Sequence, residues 1–267
     1  MYYPFSLVFA FFIWFVAVFV HYLKTNEIKL YHFEFSVRNY HILASALVIS
    51  AIVNSLVESS LLPVIYFLSF AILGVFGETF FSIWWHIFFS KRFWVYRVDT
   101  LVHGYTSLLN FIPWGAGGML YLSLANYLKV TVPRTFSLNF AIIFFFSVCL
   151  QLVFFMLYKR TEDFKFHEIT PANYVFFCLP MVISILVLSF AYGPWVLILA
   201  ISFGIAASLV EYLFGKMTEF LISKKLWVYQ YKAFDNGHFT PLSILPFALA
   251  GFYFWIIASF IHAHLIF

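Results

Sequence analysis

Glu78 and Glu211 sit in the middle of long apolar stretches, GVFGETFFS and ASLVEYLFG, and each is followed sixteen residues later by a tryptophan and eighteen residues later by a tyrosine. A carboxylate at such a depth costs about 2.5–3.5 kcal/mol on membrane-insertion scales, so both acids are expected to face a bundle interior or a wet cavity. There they can bind or move an ion or proton, act as a general acid, or serve only as hydrogen-bonding struts between helices. Gly215, Lys216 and Glu219 follow Glu211 within three helical turns. Glu211 and Glu219 are expected on roughly one face, with Lys216 in reach of either. Ile83 and His86 stand at the corresponding first-half positions, which predicts richer surroundings for Glu211 and two halves that differ chemically.

The tryptophans and tyrosines belong to two hexapeptides, KRFWVY at 91–96 and KKLWVY at 224–229, half a chain apart. Trp and Tyr gather at membrane interfaces, and neighbouring basic residues meet lipid phosphates. Lys91, Arg92, Lys224 and Lys225 are therefore candidate lipid-phosphate contacts. An interfacial belt needs no fixed spacing, however, and the constant distance from glutamate to aromatic residues predicts a loop folded back beneath each acid. The stretch AFDNGHFTP, with turn-forming Asp235, Asn236 and Gly237, is expected to complete a lid. The candidate substrate-binding set is Glu78, Glu211, Lys216, Glu219, His86, Trp94, Tyr96, Trp227, Tyr229 and Asn236, and Glu211 and Glu78 are the candidate catalytic acids.

The elements that must position these residues are membrane helices. The 267 residues are 64% hydrophobic and 10% charged, against about 25% charged in an ordinary soluble domain. Mean hydropathy is +0.96. A span needs about 20 mostly apolar residues. Eight segments qualify: 5–23, 41–57, 62–89, 106–128, 136–158, 172–190, 194–222 and 239–265. The first lacks a basic leader and a small-residue cleavage site and reads as a retained helix. Alternate loops carry Lys24, Lys29 and Arg38; Lys91, Arg92 and Arg97; Lys159, Arg160 and Lys165; and Lys224, Lys225 and Lys232. The other side has only Lys129 and Arg134, and Lys216 lies within a span. The positive-inside rule then puts the basic loops in the cytoplasm and both termini outside.

A shift of 133 aligns residues 77–121 with 210–254 without a gap, matching Glu78 with Glu211, Gly104 with Gly237, Pro113 with Pro246 and Gly118 with Gly251. Shifts of 134 and 131 relate VISAIVNS to VISILVLS and FSLVFA to FSLNFA. The expected fold is all-α and integral to the membrane: eight transmembrane helices as two tandem parallel four-helix repeats, residues 1–133 and 134–267, related by a pseudo-two-fold axis along the membrane normal.

Other chemistry finds no support in the sequence. Cys149 and Cys178 lie in apolar stretches and read as packing residues. His262 and His264 are two apart, wrong for one helical face, and His167-Glu168 lacks zincin spacing. No metal site and no cofactor is implied. No basic domain suggests nucleic acid, and no phosphate-binding glycine loop or nucleophile elbow is present.

Glu211, Tyr212, Gly215, Glu219, Trp227, Tyr229, Phe234, Asn236, Gly237 and Leu242 spell E-Y-x-x-G-x-x-x-E, W-x-Y, F-x-N-G and Leu. This resembles a bacterial multipass family catalogued as ABC-transporter permeases. The resemblance implies the bacterial inner (plasma) membrane, membrane lipids as surroundings, and an ATPase or other membrane subunit as a separate chain. Val95 and Val228 stand where that family shows an aspartate. A looser likeness connects the helix glutamate, aromatic loop and following proline to membrane carotenoid-modifying proteins. The expected function is transport or binding of a small or lipidic substrate in an acid-containing cavity open to the cytoplasm. The alternatives are an intramembrane enzyme acting on an isoprenoid or lipid through Glu211 as general acid, and a structural membrane subunit.

Overall fold

The structure, a computed structural model, describes residues 3–25, 37–128, 135–158, 169–222 and 224–265. Lys29, Lys129, Arg134, Lys159, Arg160, Lys165, His167 and Glu168 lie outside the described residues, as do the side chains of Lys24 and Arg38. Eight α-helices account for most of the described chain: α1 (Tyr3–Thr25), α2 (Val37–Val57), α3 (Leu62–Phe89), α4 (Phe111–Tyr127), α5 (Thr135–Tyr158), α6 (Pro171–Tyr192), α7 (Trp195–Ile222) and α8 (Ile244–Leu265). Among the described residues six of them, α3 to α8, are long and apolar enough to cross a membrane, α4 together with the 3₁₀ turn at 108–110 that leads into it. The chain is a multipass, mostly helical membrane protein.

Local chemistry sets the helix ends. Thr170 caps α6, its side chain accepting from the Asn173 amide at 3.2 Å, and Pro171 follows at the first helical position, where its missing N–H costs nothing. α3 stops at Ser90, which turns left-handed at φ 52° and donates its amide to the His86 carbonyl. At 28 residues each, α3 and α7 are about 42 Å long, more than the roughly 30 Å hydrocarbon core requires.

The spans expected from 106 and from 239 begin later than their apolar runs. Residues 106–110 and 239–243 form a short strand and 3₁₀ turns instead, and the helices start at Phe111 and Ile244. Side-chain oxygens capture local backbone donors there: Ser107 accepts from the Leu109 amide at 3.2 Å and Thr240 from the Leu242 amide at 3.4 Å.

Among the described residues four short strands join the helices: β1 (Trp94–Tyr96), β2 (Thr100–Leu101), β3 (Thr106–Ser107) and β4 (Trp227–Tyr229). β2 and β3 form a local ladder. β1 pairs antiparallel with β4, setting Trp94 opposite Tyr229, Val95 opposite Val228 and Tyr96 opposite Trp227. The two copies of the hexapeptide are therefore hydrogen-bonded to each other, symmetrically about the Val95–Val228 pair.

Elements recur at the shift that aligns the two sequence halves. Leu62 opens α3 and Trp195 opens α7, the two helices have the same length, and Trp94 of β1 corresponds in the same way to Trp227 of β4. Left-handed residues recur as well: Asp99 with Lys232, Val102 with Asp235, His103 with Asn236, and Gly104 (φ 84°) with Gly237 (φ 96°). Helix pairs α3/α4 and α7/α8 pack closely in the same manner. A Cβ on Gly118 would lie 2.5 Å from the Phe70 ring, and one on Gly251 would lie 2.2 Å from the Phe203 ring. Without a hydrophobic force between helices in lipid, this close approach at small residues is what holds them together. α4 and α8 also pack against each other, and Phe70, Phe203, Phe252 and Phe254 form the fully buried aromatic centre around them.

Candidate functional site

Glu78 and Glu211 occupy equivalent depths, each sixteen residues after the first residue of its helix. Both line one cavity of about 490 Å³. Its walls come mainly from α3, α5, α6 and α8, with Trp94 and Tyr96 of β1 and Trp227 of β4 at one end. Apart from the two acids, the lining is overwhelmingly aromatic and aliphatic, including Phe81, Trp84, Phe144, Phe177, Phe247 and Tyr253. Phe76 and Phe80, more than half exposed on the outer side of α3, stand at the rim, so the cavity reaches the lipid-facing surface.

The fixed spacing from glutamate to tyrosine has a direct structural meaning. The loop after each helix folds back, so that the Tyr96 hydroxyl donates to Glu78 and the Tyr229 hydroxyl donates to Glu211 at 2.6 and 2.8 Å. Burial first, and then the adjacent carboxylate, push both phenols well above the ordinary tyrosine value, so both remain protonated donors. The antiparallel register sets the two tyrosines side by side under the two acids; Tyr96 lines the cavity with Glu78 and Glu211, whereas Tyr229 reaches Glu211 from behind and is not part of the lining. Trp94 meets Tyr229 edge-on at 6.0 Å, and Tyr96 packs on Trp227 at 6.4 Å.

Beyond this shared contact the halves differ, in the opposite sense to that expected from the sequence. Glu78 is 7% exposed and is the more completely bonded acid. Thr106 donates to it at 2.5 Å and Asn110 donates to both carboxyl oxygens at 3.1 and 2.9 Å, while Trp114 lines the cavity beside it. Asn110 also donates to the Tyr96 hydroxyl. In the second half, the counterparts of Thr106, Asn110 and Trp114 are Phe239, Ser243 and Phe247. Glu211 accordingly keeps Tyr229 as its described hydrogen-bond donor. The indoles follow suit: Trp94 Nε1 donates to the Tyr105 carbonyl at 3.1 Å, whereas the buried Trp227 Nε1 has no hydrogen-bond partner among the described residues.

Lys216 and Glu219 do not attend Glu211. Five residues on a helix turn through about 140°, which carries Lys216 away from the Glu211 face. Its ammonium meets Asp235 at 3.0 Å, and Tyr212, one turn back, donates to the same carboxylate at 2.9 Å. Glu219 lies two turns further along than Glu211 and pairs with buried His238 at 2.5 Å and with Lys225 at 3.9 Å. His86, its first-half counterpart, packs edge-on against Tyr105 at 5.8 Å, and Tyr105 stands at the position equivalent to His238. Neither pair lines the cavity. Asn236 is an exposed left-handed turn residue whose carbonyl accepts from Lys225 at 2.7 Å, so it caps the loop and does not reach the cavity.

Arg92 lies over the Tyr105 ring at 5.1 Å and Lys225 is held by Asn236 and Glu219, so both are engaged with the protein. Lys91 and Lys224 are exposed, and Lys224 too has a contact within the protein. Among the described residues no three His, Cys, Asp or Glu side chains gather where they could hold a metal ion. Thr106, Asn110 and Trp114 are site residues that the sequence reading passed over. A polar Thr and Asn at the edge of an apolar run was the signal, because such groups need partners when buried.

Compared with known proteins, the chain matches no family model, no curated protein and no solved structure.

Proposed function

We propose that this chain binds and moves a small or lipidic substrate that enters the cavity from the bilayer, with Glu211 as the ligand-facing acid and Glu78 as its anchored counterpart. The observation that carries this reading is that two carboxyl groups from distant parts of the chain line one apolar cavity whose rim reaches lipid-facing Phe76 and Phe80. Ligand cavities are typically apolar with a few convergent polar groups. Two tandem four-helix units with eight spans, basic loops in the cytoplasm and termini outside form the frame of the proposal. The recurrence of helices, strands and left-handed turns at one constant shift supports the repeat. In this reading the E-Y-x-x-G-x-x-x-E and W-x-Y resemblance extends to function, and an ATPase, where one is required, is a separate chain.

The test is native mass spectrometry of the gently solubilised protein beside Glu211→Gln, followed by flux measurements in proteoliposomes. A co-purifying small or lipidic molecule that the variant loses, with flux that falls in parallel, is the expected result. An empty cavity with flux indifferent to Glu211 would sink the proposal. The second reading is an intramembrane enzyme in which Glu211 protonates a double bond of an isoprenoid or lipid and aromatic faces stabilise the resulting cation. It is favoured by the ring-lined walls beside a carboxyl with one described donor. It predicts that cells carrying Glu211→Gln accumulate an unmodified lipid or pigment, which a pure carrier does not.

A further inference from the structure

From two acids lining one cavity with no basic residue among its described lining, we infer that its ligand is a lipophilic organic cation, with an apolar body and one shielded positive charge, and that Glu211 is its counter-ion when it is bound. This deepens the proposed function and rests on it.

Two acids, Glu78 and Glu211, line the cavity, and no lysine, arginine or histidine among its described lining residues balances them. The nearest basic side chain on the same helix, Lys216, is directed to Asp235 outside the cavity. Buried acids are normally paired with a cation or fully hydrogen-bonded. Glu78 meets the second condition through Tyr96, Thr106 and Asn110. Glu211 is partly buried and, with Tyr229 as its described donor, meets neither, which leaves acceptor positions open where a ligand would lie. The walls add a second, independent preference. Aromatic ring faces attract cations, best when water is excluded, and they recognise quaternary and other shielded cations in particular. Neutral apolar molecules gain nothing from the carboxyl, and an anion is repelled by it.

The difference between the halves strengthens the assignment to the second copy. In the first copy the indole and the carboxyl are both satisfied within the protein. In the second, the Trp227 indole has no partner among the described residues, and the two Glu211 oxygens share the single Tyr229 hydroxyl as their described donor. Trp227 is close to that acid, since a Cβ on Gly215, one turn beyond Glu211, would lie 3.3 Å from its ring.

The test compares three probes of one shape on the full chain in nanodiscs: tetraphenylphosphonium, neutral tetraphenylsilane and tetraphenylborate, each counted against empty nanodiscs. The expected result is at least about tenfold tighter binding of the cation than of the neutral probe, with no saturable binding of the anion. Glu211→Gln should erase that preference while neutral-probe binding persists, which also shows that the variant is folded, and Glu211→Asp should retain it. Equal binding of cation and neutral probe, or a preference that survives in Glu211→Gln, overturns the cation assignment and leaves the cavity reading standing. Failure of all three probes to bind saturably overturns both.

Discussion

Glu78→Gln and Glu211→Gln are the same chemical change at equivalent positions of the two halves, yet they are expected to differ sharply in stability. The substitution replaces one acceptor oxygen with an NH₂ donor. At Glu78 each oxygen already receives an Asn110 contact together with a hydroxyl from Tyr96 or Thr106. Whichever oxygen is replaced, the new amide confronts existing donors. The hydroxyls can rotate, but the Asn110 amide cannot serve both new neighbours, so about two hydrogen bonds are lost or inverted. Hydrogen bonds to a carboxylate contribute about 1.5–3 kcal/mol each, and partial rearrangement leaves a net cost of about 2–5 kcal/mol. At Glu211 the Tyr229 hydroxyl is the one donor among the described residues, and one retained oxygen can still accept it, so the cost is at most about 1 kcal/mol. At about 2–4 °C per kcal/mol, the unfolding midpoint in detergent, followed by tryptophan fluorescence, should fall by about 4–20 °C for Glu78→Gln and by less than about 4 °C for Glu211→Gln. Equal losses, or a larger loss at Glu211, would refute the assignment of Glu78 as anchor and Glu211 as ligand-facing acid.

Three further outcomes are expected. Gly251→Ala places a methyl group into the Phe203 ring and should cost about 1–3 kcal/mol, whereas Gly117→Ala, with open space around its added carbon, should leave the unfolding midpoint unchanged or raise it. Val95 and Val228 face each other two residues from the Arg97–Leu226 and Gln230–Phe93 backbone bonds, which makes them a hydrogen-bonded pair of the ladder. In such a pair the Cα atoms are about 5.5 Å apart, within the range a disulfide spans. Val95→Cys with Val228→Cys should therefore oxidise to an intramolecular disulfide, seen as a cross-linked peptide by mass spectrometry and absent when Cys replaces either valine alone. Lys216, then Tyr212, hold exposed Asp235 below its ordinary value. A lowered folded-state pKa stabilises the turn above the ordinary aspartate value of about 3.9 and loses that contribution as pH falls through the lower one. Amide exchange in the 235–237 turn should thus stay slow down to about pH 4 and quicken below it. Opening near neutral pH would contradict the contact.

Much of the helical framework was legible because hydropathy is a local property. The apolar runs at 62–89 and 194–222 correspond to α3 and α7 within a residue. The eighteen-residue spacing between Glu and Tyr was likewise written in the chain, since a helix end followed by a short return loop fixes the distance over which a side chain can fold back. Partner choice was not legible, because it joins residues distant in sequence. Nothing local says that WVY at 94–96 pairs with WVY at 227–229, or that this pairing delivers both acids to one cavity. Helical spacing alone put Lys216 within reach of Glu211, but the turn through Asp235, folded over the outer face of α7, offers the ammonium a carboxylate in a wetter place. The tertiary structure also decided which acid is anchored. Thr106 and Asn110 sit at the edge of an apolar run and bond Glu78 because β3 and the turn after it lie against α3, while Phe239 and Ser243 occupy the equivalent sites near Glu211. Composition and periodicity thus determined a membrane bundle carrying a glutamate in the middle of each of two long apolar helices. Long-range pairing decided that the two meet, and that Glu78 is held by several donors while Glu211 keeps Tyr229 alone among those described, because a hydrogen bond is set by proximity in space and not along the chain.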